Sequence, residues 1–332
     1  MFNVGALLIG LGIILISAEL FTNSIEWLGR RMRLSEGAVG SILAAVGTAL
    51  PETLVPIIAI GFGASQAQKE IGVGAILGAP FMLGTLALFV TGTAVLVLAF
   101  FGKRRTTMMV DESVMKRDLR FFLIVYSIAI LASLFHRHEY KLILAVGLVA
   151  AYGVYAYKTV TSGECVAGED LNPLILCRSA IVPRLRFIIL QVLCAVVGII
   201  GGAEIFVYSM EKISHIFSIN PFILSVIITP IATELPEKFN SVIWVSRGKD
   251  TLALGNITGA MVFQSSIIPA IGICLTPWVL NTTAFTCALV ALSSAALVLV
   301  ILSLKGYLRA YHLLFGGLFY TLFLYLVLGH KI

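Results

Sequence analysis

Long apolar stretches recur along the whole chain and constrain its fold more than any other feature. A helix needs about 20 apolar residues to cross the hydrocarbon core of a bilayer. Ten stretches are long enough, and 59% of the 332 residues are hydrophobic while only 12% are charged. They cover residues 3–21, 37–62, 71–101, 118–135, 140–158, 187–208, 222–246, 251–278, 283–303 and 308–329. We therefore predict an all-α polytopic membrane protein with ten transmembrane helices, which contacts the lipid bilayer along its length.

Basic residues are distributed unevenly between the two sides of these spans. Counted outward from the spans, 17 lysines and arginines fall on one side and five on the other. Because cytoplasmic loops are enriched in basic residues, we predict a cell (inner) membrane protein with both termini outside. This asymmetry accounts for the net charge of +6, so a nucleic-acid partner is not indicated. We expect the first span to be retained, since no basic segment precedes it and no cleavage site follows.

The chain contains an internal repeat. Residues 18–52 align without a gap with residues 203–237, and ten of the 35 aligned positions are identical. Several glutamates align with glutamates, which apolar bias alone does not produce. With five spans in each half, the two copies have opposite orientations, as in many secondary transporters. We predict a first five-helix repeat over 1–160, a cytoplasmic linker over 161–186 and a second, inverted repeat over 187–332.

Each copy carries Leu-Pro-Glu inside an apolar stretch, ending at Glu52 and at Glu237. Proline has no N–H and removes one helical hydrogen bond, so helices 2 and 7 are predicted to be broken there. A break places bare carbonyl oxygens beside a carboxylate at membrane depth, and Ca²⁺ and Na⁺ accept such oxygen ligands. One such triplet is as compatible with a tolerated kink and a protonated, hydrogen-bonded glutamate as it is with an ion pathway. Two triplets at symmetric positions favour an ion pathway.

Glu234 lies four residues before Lys238 on the predicted helix. This acid-first spacing allows the two side chains to neutralise each other. Alternatively, Glu234 is a third cation ligand, and the spacing leaves both interpretations open.

These motifs resemble those of the cation/calcium exchanger superfamily, which includes the sodium/calcium exchangers. The superfamily has two inverted five-helix repeats, each with a motif close to G-T-S-x-P-E and a G-N-x-x-G-S-N segment on the next helix. Here "GTALPE" and "ATELPE" correspond to the first motif, and "LALGNITGAMVFQ" corresponds to the second in the C-terminal half. The resemblance implies that Glu52 and Glu237 are the central Ca²⁺ ligands. It also implies that Thr48 and Thr233 contribute oxygens.

The chain departs from the superfamily pattern at several positions, and the departures remove polar ligands. Ala49 and Glu234 stand where the superfamily has serine, and Gln264 falls where an acidic or amide ligand is expected. The remaining differences are Ala75 for asparagine, Ala79 and Pro80 for Ser-Asn, and Ala260 and Met261 for Ser-Asn, whereas Asn256 is kept. Because several oxygens suited to sodium are missing, H⁺ becomes an alternative to Na⁺ as the coupling ion.

The sequence therefore suggests a secondary active antiporter that exchanges Ca²⁺ for Na⁺ or H⁺. Its expected metal ligands are Glu52, Glu237, Thr48, Thr233, Glu234 and Gln264. Its partners are the transported inorganic cations, and neither a cofactor nor an obligate protein partner is indicated. The alternatives are a carrier or exchanger for another cation such as Mg²⁺ or K⁺, or a transport-inactive membrane sensor. An enzyme is disfavoured, because no span carries a Ser/His/Asp set, a phosphate-binding glycine loop or a metal-binding histidine cluster.

Overall fold

The computed structural model describes residues 2–31, 49–161, 172–177 and 183–329, with the backbone alone for residues 2, 29, 30, 160, 235–239 and 328. The regular secondary structure of this described part is helical, apart from one short two-stranded ladder. Seven of its helices are long and apolar enough to cross a membrane. The protein is therefore an integral membrane protein.

The helices follow one another closely along the chain. They are α1 (Phe2–Arg31), α2 (Leu50–Gly61), α3 (Gln66–Met82), α4 (Leu88–Phe100), α5 (Glu112–Leu131), α6 (His138–Thr161), α7 (Leu185–Phe217), α8 (Pro221–Ser246), α9 (Asp250–Leu275), α10 (Thr282–Lys305), α11 (Ala310–Leu313) and α12 (Phe315–Gly329). A π-helical turn (Leu83–Ala87) joins α3 to α4, and 3₁₀ turns lie at Ala132–Leu134 and Ile175–Cys177. Strands β1 (Thr107–Met108) and β2 (Leu308–Arg309) pair antiparallel.

Each predicted span overlaps a described helix, but only seven helical stretches of the described part meet the length and hydropathy of a full span. Two of these stretches are composite, α3 with α4 and α11 with α12. The fourth predicted span corresponds to α5, whose first turns carry several charged residues. Of the second predicted span, the structure describes only the 12-residue helix α2, because residues 32–48 lie outside the described part. The count of ten spans stays a prediction.

The prediction that the seventh helix is broken is wrong, because its backbone is helical throughout. Helix α8 runs uninterrupted from Pro221 to Ser246 through Pro230 and Pro236. Each proline removes one hydrogen bond of the helix while the neighbouring bonds persist, so the helix continues. In the first half, Pro51 lies in the first turn of α2, where proline is well tolerated.

One compact unit consists of Met1–Gly72 and Gly153–Pro221. Its long helices α1 and α7 approach closely at Gly10 and Gly202. A Cβ added at Gly202 would lie only 3.0 Å from the carbonyl oxygen of Gly10. The apolar cluster of Phe21, Ala195 and Ile199 lies between these helices, and Leu54 of α2 packs against it. Helix α2 is thereby held against α7.

The other compact unit consists of Val73–Tyr152 and Phe222–Ile332. Helices α3 and α8 meet at small residues, since a Cβ at Gly78 would lie 2.7 Å from the carbonyl oxygen of Val226. The fully buried indole of Trp278 donates to the carbonyl oxygen of Ala129 at 2.9 Å and ties the end of α9 to α5. Each unit draws on both halves of the sequence, so the compact units differ from the two predicted repeats.

Candidate cation site

Glu52 lies in the first turn of α2 and is only 5% exposed. The helix begins after Ala49, whose carbonyl accepts from the Thr53 amide at 3.1 Å and from the Thr53 hydroxyl at 2.6 Å. The amide groups at a helix N-terminus favour a negative charge, so this position stabilises a buried carboxylate. Pro56, four residues later, supplies no N–H toward the carbonyl oxygen of residue 52. Oxygen groups therefore concentrate at the start of α2.

A row of hydroxyl groups lies along one face of α8. Ser225, Thr229 and Thr233 are spaced four residues apart and are all at most 3% exposed. The hydroxyls of Ser225 and Thr229 lie 3.0 Å apart, and the Thr233 hydroxyl donates to the Thr229 carbonyl at 3.1 Å. Residues four apart share a helix face, so this row gives α8 a buried polar stripe. Ser225 and Thr229 are absent from the predicted ligands, although a hydroxyl at every fourth residue of an apolar stretch is a detectable signal.

Glu234 contacts Gln264 where α8 meets α9. The amide nitrogen Nε2 of Gln264 donates to Oε1 of Glu234, and the two residues are 2% and 1% exposed, respectively. The amide oxygen Oε1 of Gln264 is buried and accepts no hydrogen bond from any described residue. Buried polar atoms normally have a partner, so this oxygen is suited to a cation or a water molecule.

The structure locates the predicted ligands to different degrees. It brings Glu234 and Gln264 into contact, whereas Thr233 bonds within its own helix. Glu52 belongs to the first compact unit and Glu234 to the second. Thr48 lies outside the described residues, and Glu237 is described only by its backbone within α8. The same limit applies to Lys238, so the proposed neutralisation of Glu234 by Lys238 stays a prediction.

A further buried carboxylate lies near the start of α5. Asp118 is 2% exposed, and its Oδ2 accepts from the Thr258 hydroxyl of α9 at 2.9 Å. Its Oδ1 lies 3.2 Å from Nε of Arg117. Asp118 is not among the predicted site residues, because it stands in a charged segment that resembles a solvated helix end.

Comparisons with known proteins agree with this architecture. A family model described as sodium/calcium exchanger protein matches residues 2–160 and 187–329. The fold is similar to a solved H⁺/Ca²⁺ exchanger, CAX, with a TM-score of 0.74 and 15% identity, covering 98% of this chain and 82% of that one. It is also similar to the sodium-calcium exchanger NCX_Mj, with a TM-score of 0.58 and 20% identity over 99% of this chain and 98% of that one.

A relative found by sequence is the inner membrane protein YrbG of Escherichia coli (strain K12). It is 23% identical over 288 residues, which are 84% of this chain and 82% of that protein. The family model covers nearly the whole chain, and the buried acids of α2 and α8 lie inside its two matched ranges. The chain therefore belongs to the sodium/calcium exchanger protein family.

Proposed function

We propose that this protein is a secondary active antiporter that exchanges Ca²⁺ for H⁺ or Na⁺ across the membrane by alternating access. The observation that carries the proposal is Glu52, a carboxylate only 5% exposed within a helix of a membrane protein. An acidic side chain inside a membrane is costly and marks an ion pathway. The names of the structural relatives, an H⁺/Ca²⁺ exchanger and a sodium-calcium exchanger, support Ca²⁺ as the transported ion.

We further propose ten transmembrane helices arranged as two inverted five-helix repeats. The two ranges matched by the family model, 2–160 and 187–329, support this division because they leave out the proposed linker over 161–186. The name of the relative YrbG supports an inner membrane location. The excess of basic residues on one side supports both termini lying outside.

The proposed cation site is shared by the two repeats. Glu52 and Glu237 act as central ligands, with oxygens from Thr48 and Thr233 completing the symmetric set. Ca²⁺ takes six to eight oxygen ligands. In the second repeat, the buried Oε1 of Gln264 supports a contribution from α9, and the neighbouring Glu234 supplies a further carboxylate.

Charge compensation makes exchange obligatory in this mechanism. Two facing carboxylates without a cation form a buried double negative charge, and moving it through a low-dielectric environment costs several kcal/mol or more. One Ca²⁺, two H⁺ or Na⁺ ions neutralise the pair. Only loaded states then interconvert between the two sides of the membrane, so each exported Ca²⁺ must be replaced on the return step by ions that again neutralise the pair.

The substitutions in this chain favour H⁺ over Na⁺ as the coupling ion. Alanines at positions 49, 75, 79 and 260 remove hydroxyl and amide oxygens that would bind Na⁺. Glu234 instead adds a carboxyl group, which is able to bind a proton. The second candidate function is the exchange of another cation such as Mg²⁺ or K⁺. The extra carboxylate of Glu234 supports it, because this group changes the negative charge around the bound ion.

Gradient-driven uptake in proteoliposomes tests the proposal. An imposed H⁺ gradient is expected to drive rapid ⁴⁵Ca²⁺ uptake, with a smaller response to Na⁺. Both Glu52→Gln and Glu237→Gln are expected to abolish it, whereas Glu139→Gln, at an exposed position in the first turn of α6, is the matched control. Undiminished uptake in either site variant would rule the mechanism out. Uptake that requires another cation would favour the second candidate, and no gradient-driven flux of any cation would indicate a membrane sensor.

A further inference from the structure

A cluster of three basic residues lies where α10 ends and α11 begins. Lys305 is the last residue of α10, Arg309 ends strand β2, and His312 lies in α11. The His312 side chain is only 3% exposed although it is polar. The cluster lies outside the cation site proposed above, and its hydrogen bonds are incomplete.

The hydrogen bonds of His312 identify the position of its proton. The backbone amide of Arg309 donates to Nδ1 of His312 at 3.1 Å, so Nδ1 carries no hydrogen. A neutral imidazole has one N–H group, which must then be on Nε2. Nε2 lies 3.4 Å from Nζ of Lys305, whose ammonium group is also only a donor. Two donors therefore face each other with no acceptor between them.

Arg309 adds a third donor to the cluster. Its Nε is buried and has no hydrogen-bond partner among the described residues. The guanidinium group is held by aromatic rings, at 5.3 Å from the ring centroid of Tyr307 and 5.9 Å from that of Tyr311. Cation–π contacts fix the orientation of an arginine without using its N–H groups. Of these groups, Nη1 lies 3.4 Å from the Tyr311 hydroxyl. The Nε–H is thus left for an outside acceptor.

In the part of the chain that the structure describes, no carboxylate forms an ion pair with this cluster. Neither Lys305 nor Arg309 has an acidic oxygen within 4.0 Å. The carboxylate of Glu112 lies beside Gly306, but it is bonded to Lys116. A buried donor without an acceptor costs about 1–3 kcal/mol, so the cluster is suited to an anionic oxygen from another molecule.

The surroundings favour a lipid over a soluble anion. Lys305 ends a helix long and apolar enough to span the membrane, so the cluster lies near the depth of the lipid headgroups. Leu304 is 82% exposed next to Lys305, and Tyr307 and Tyr311 are partly exposed. Aromatic and basic side chains beside exposed apolar ones are typical of the membrane interface. We propose that Lys305, Arg309 and His312 bind the phosphate group of an anionic phospholipid.

Lipid titration of the purified full chain tests this proposal. In a neutral detergent, phosphatidylglycerol is expected to raise the unfolding temperature saturably, whereas phosphatidylcholine and inorganic phosphate have little effect. Lys305→Gln is expected to weaken the apparent affinity for phosphatidylglycerol about fivefold, the contribution of one basic residue near an anionic headgroup. Arg309→Gln is expected to weaken it more, because a directional donor is also lost.

Arg247→Gln serves as the matched control, since Arg247 is exposed and forms no ion pair among the described residues. Its affinity for phosphatidylglycerol is expected to equal that of the wild type.

An equal loss of affinity in Arg247→Gln and Lys305→Gln would show a diffuse charge effect and overturn the proposed site. No effect of phosphatidylglycerol on the wild type would overturn it as well. An equal shift with inorganic phosphate, lost in Lys305→Gln, would overturn the assignment to lipid. Because Lys305 is exposed, its substitution tests the site even if Arg309→Gln fails to fold.

Discussion

Replacement of Arg104 by glutamine is predicted to destabilise the second compact unit strongly. The guanidinium group of Arg104 binds both carboxylate oxygens of Asp250 at 2.8 Å and also donates to the Val245 carbonyl at 2.5 Å. Asp250 is 2% exposed, and the Met109 amide donates to its Oδ2 at 2.9 Å. The segment after α4 is thereby attached to both α8 and α9, which carry Glu234 and Gln264.

The expected loss of stability follows from the buried Asp250 carboxylate, which the substitution leaves uncompensated. Breaking a buried ion pair costs about 3–5 kcal/mol, because the remaining charge is uncompensated. The Arg104 side chain is 13% exposed, so the lower end, about 3 kcal/mol, applies. The three partly buried hydrogen bonds to Asp250 and Val245, at about 1 kcal/mol each, give the same figure. The fourth bond, from Nε to the Arg105 carbonyl, is exposed and adds little. For a unit of this size, about 3 kcal/mol lowers the unfolding temperature by about 6–12 °C.

Tryptophan fluorescence during heating of the detergent-solubilised protein measures the effect. Arg105→Gln, at the exposed neighbouring position, is the control and is expected to change stability by less than about 0.5 kcal/mol. The double variant Arg104→Gln/Asp250→Asn is expected to recover part of the loss, since it leaves no buried charge. Equal unfolding temperatures for Arg104→Gln and Arg105→Gln would refute the reasoning.

Three further substitutions test packing and polar contacts by the same thermal unfolding assay. Gly202→Ala is expected to lower the free energy of unfolding by about 1–3 kcal/mol, because its Cβ would lie 3.0 Å from the Gly10 carbonyl oxygen. The control Gly201→Ala meets no atom within 4 Å and is expected to be tolerated. Equal effects of the two would contradict this. Tyr126→Phe is expected to be neutral or stabilising, because the buried hydroxyl has no hydrogen-bond partner among the described residues; a loss above about 1 kcal/mol would show a missed partner. Asp111→Ala is expected to cost about 1 kcal/mol at pH 7, since Asp111 caps α5 by accepting from the amides of Ser113 and Val114. The Ser113 hydroxyl, followed by the Val114 amide, lowers the pKa of Asp111, so this stabilisation is present above the unfolded-state pKa and is lost as the pH falls through the folded-state pKa. A difference between wild type and Asp111→Ala that persists in strong acid would contradict the assignment.

The sequence predicts where the helices lie better than how long they are. The predicted span 187–208 corresponds to α7, which extends from Leu185 to Phe217. Hydropathy detects the apolar part of a helix, whereas its ends carry polar residues such as Glu211 and His215. The prediction that prolines break the seventh helix is wrong, because sequence alone does not show whether the hydrogen bonds beside Pro230 and Pro236 persist.

Candidate ligands are also easier to predict than their contacts. Glu234 and Gln264 are both identified from sequence, but their hydrogen bond depends on how α8 packs against α9. The basic cluster at Lys305 and His312 escapes sequence analysis for the same reason. Its unmatched donors become visible only when the tautomer of His312 is assigned from the hydrogen bond to Nδ1.

A structure determined with Ca²⁺ bound tests the central claim most directly. We predict one ion held by carboxylate oxygens of both Glu52 and Glu237 at about 2.3–2.6 Å, with Oε1 of Gln264 among its remaining ligands. An ion bound without either glutamate, or two carboxyl groups too far apart to share an ion, would contradict the proposed mechanism.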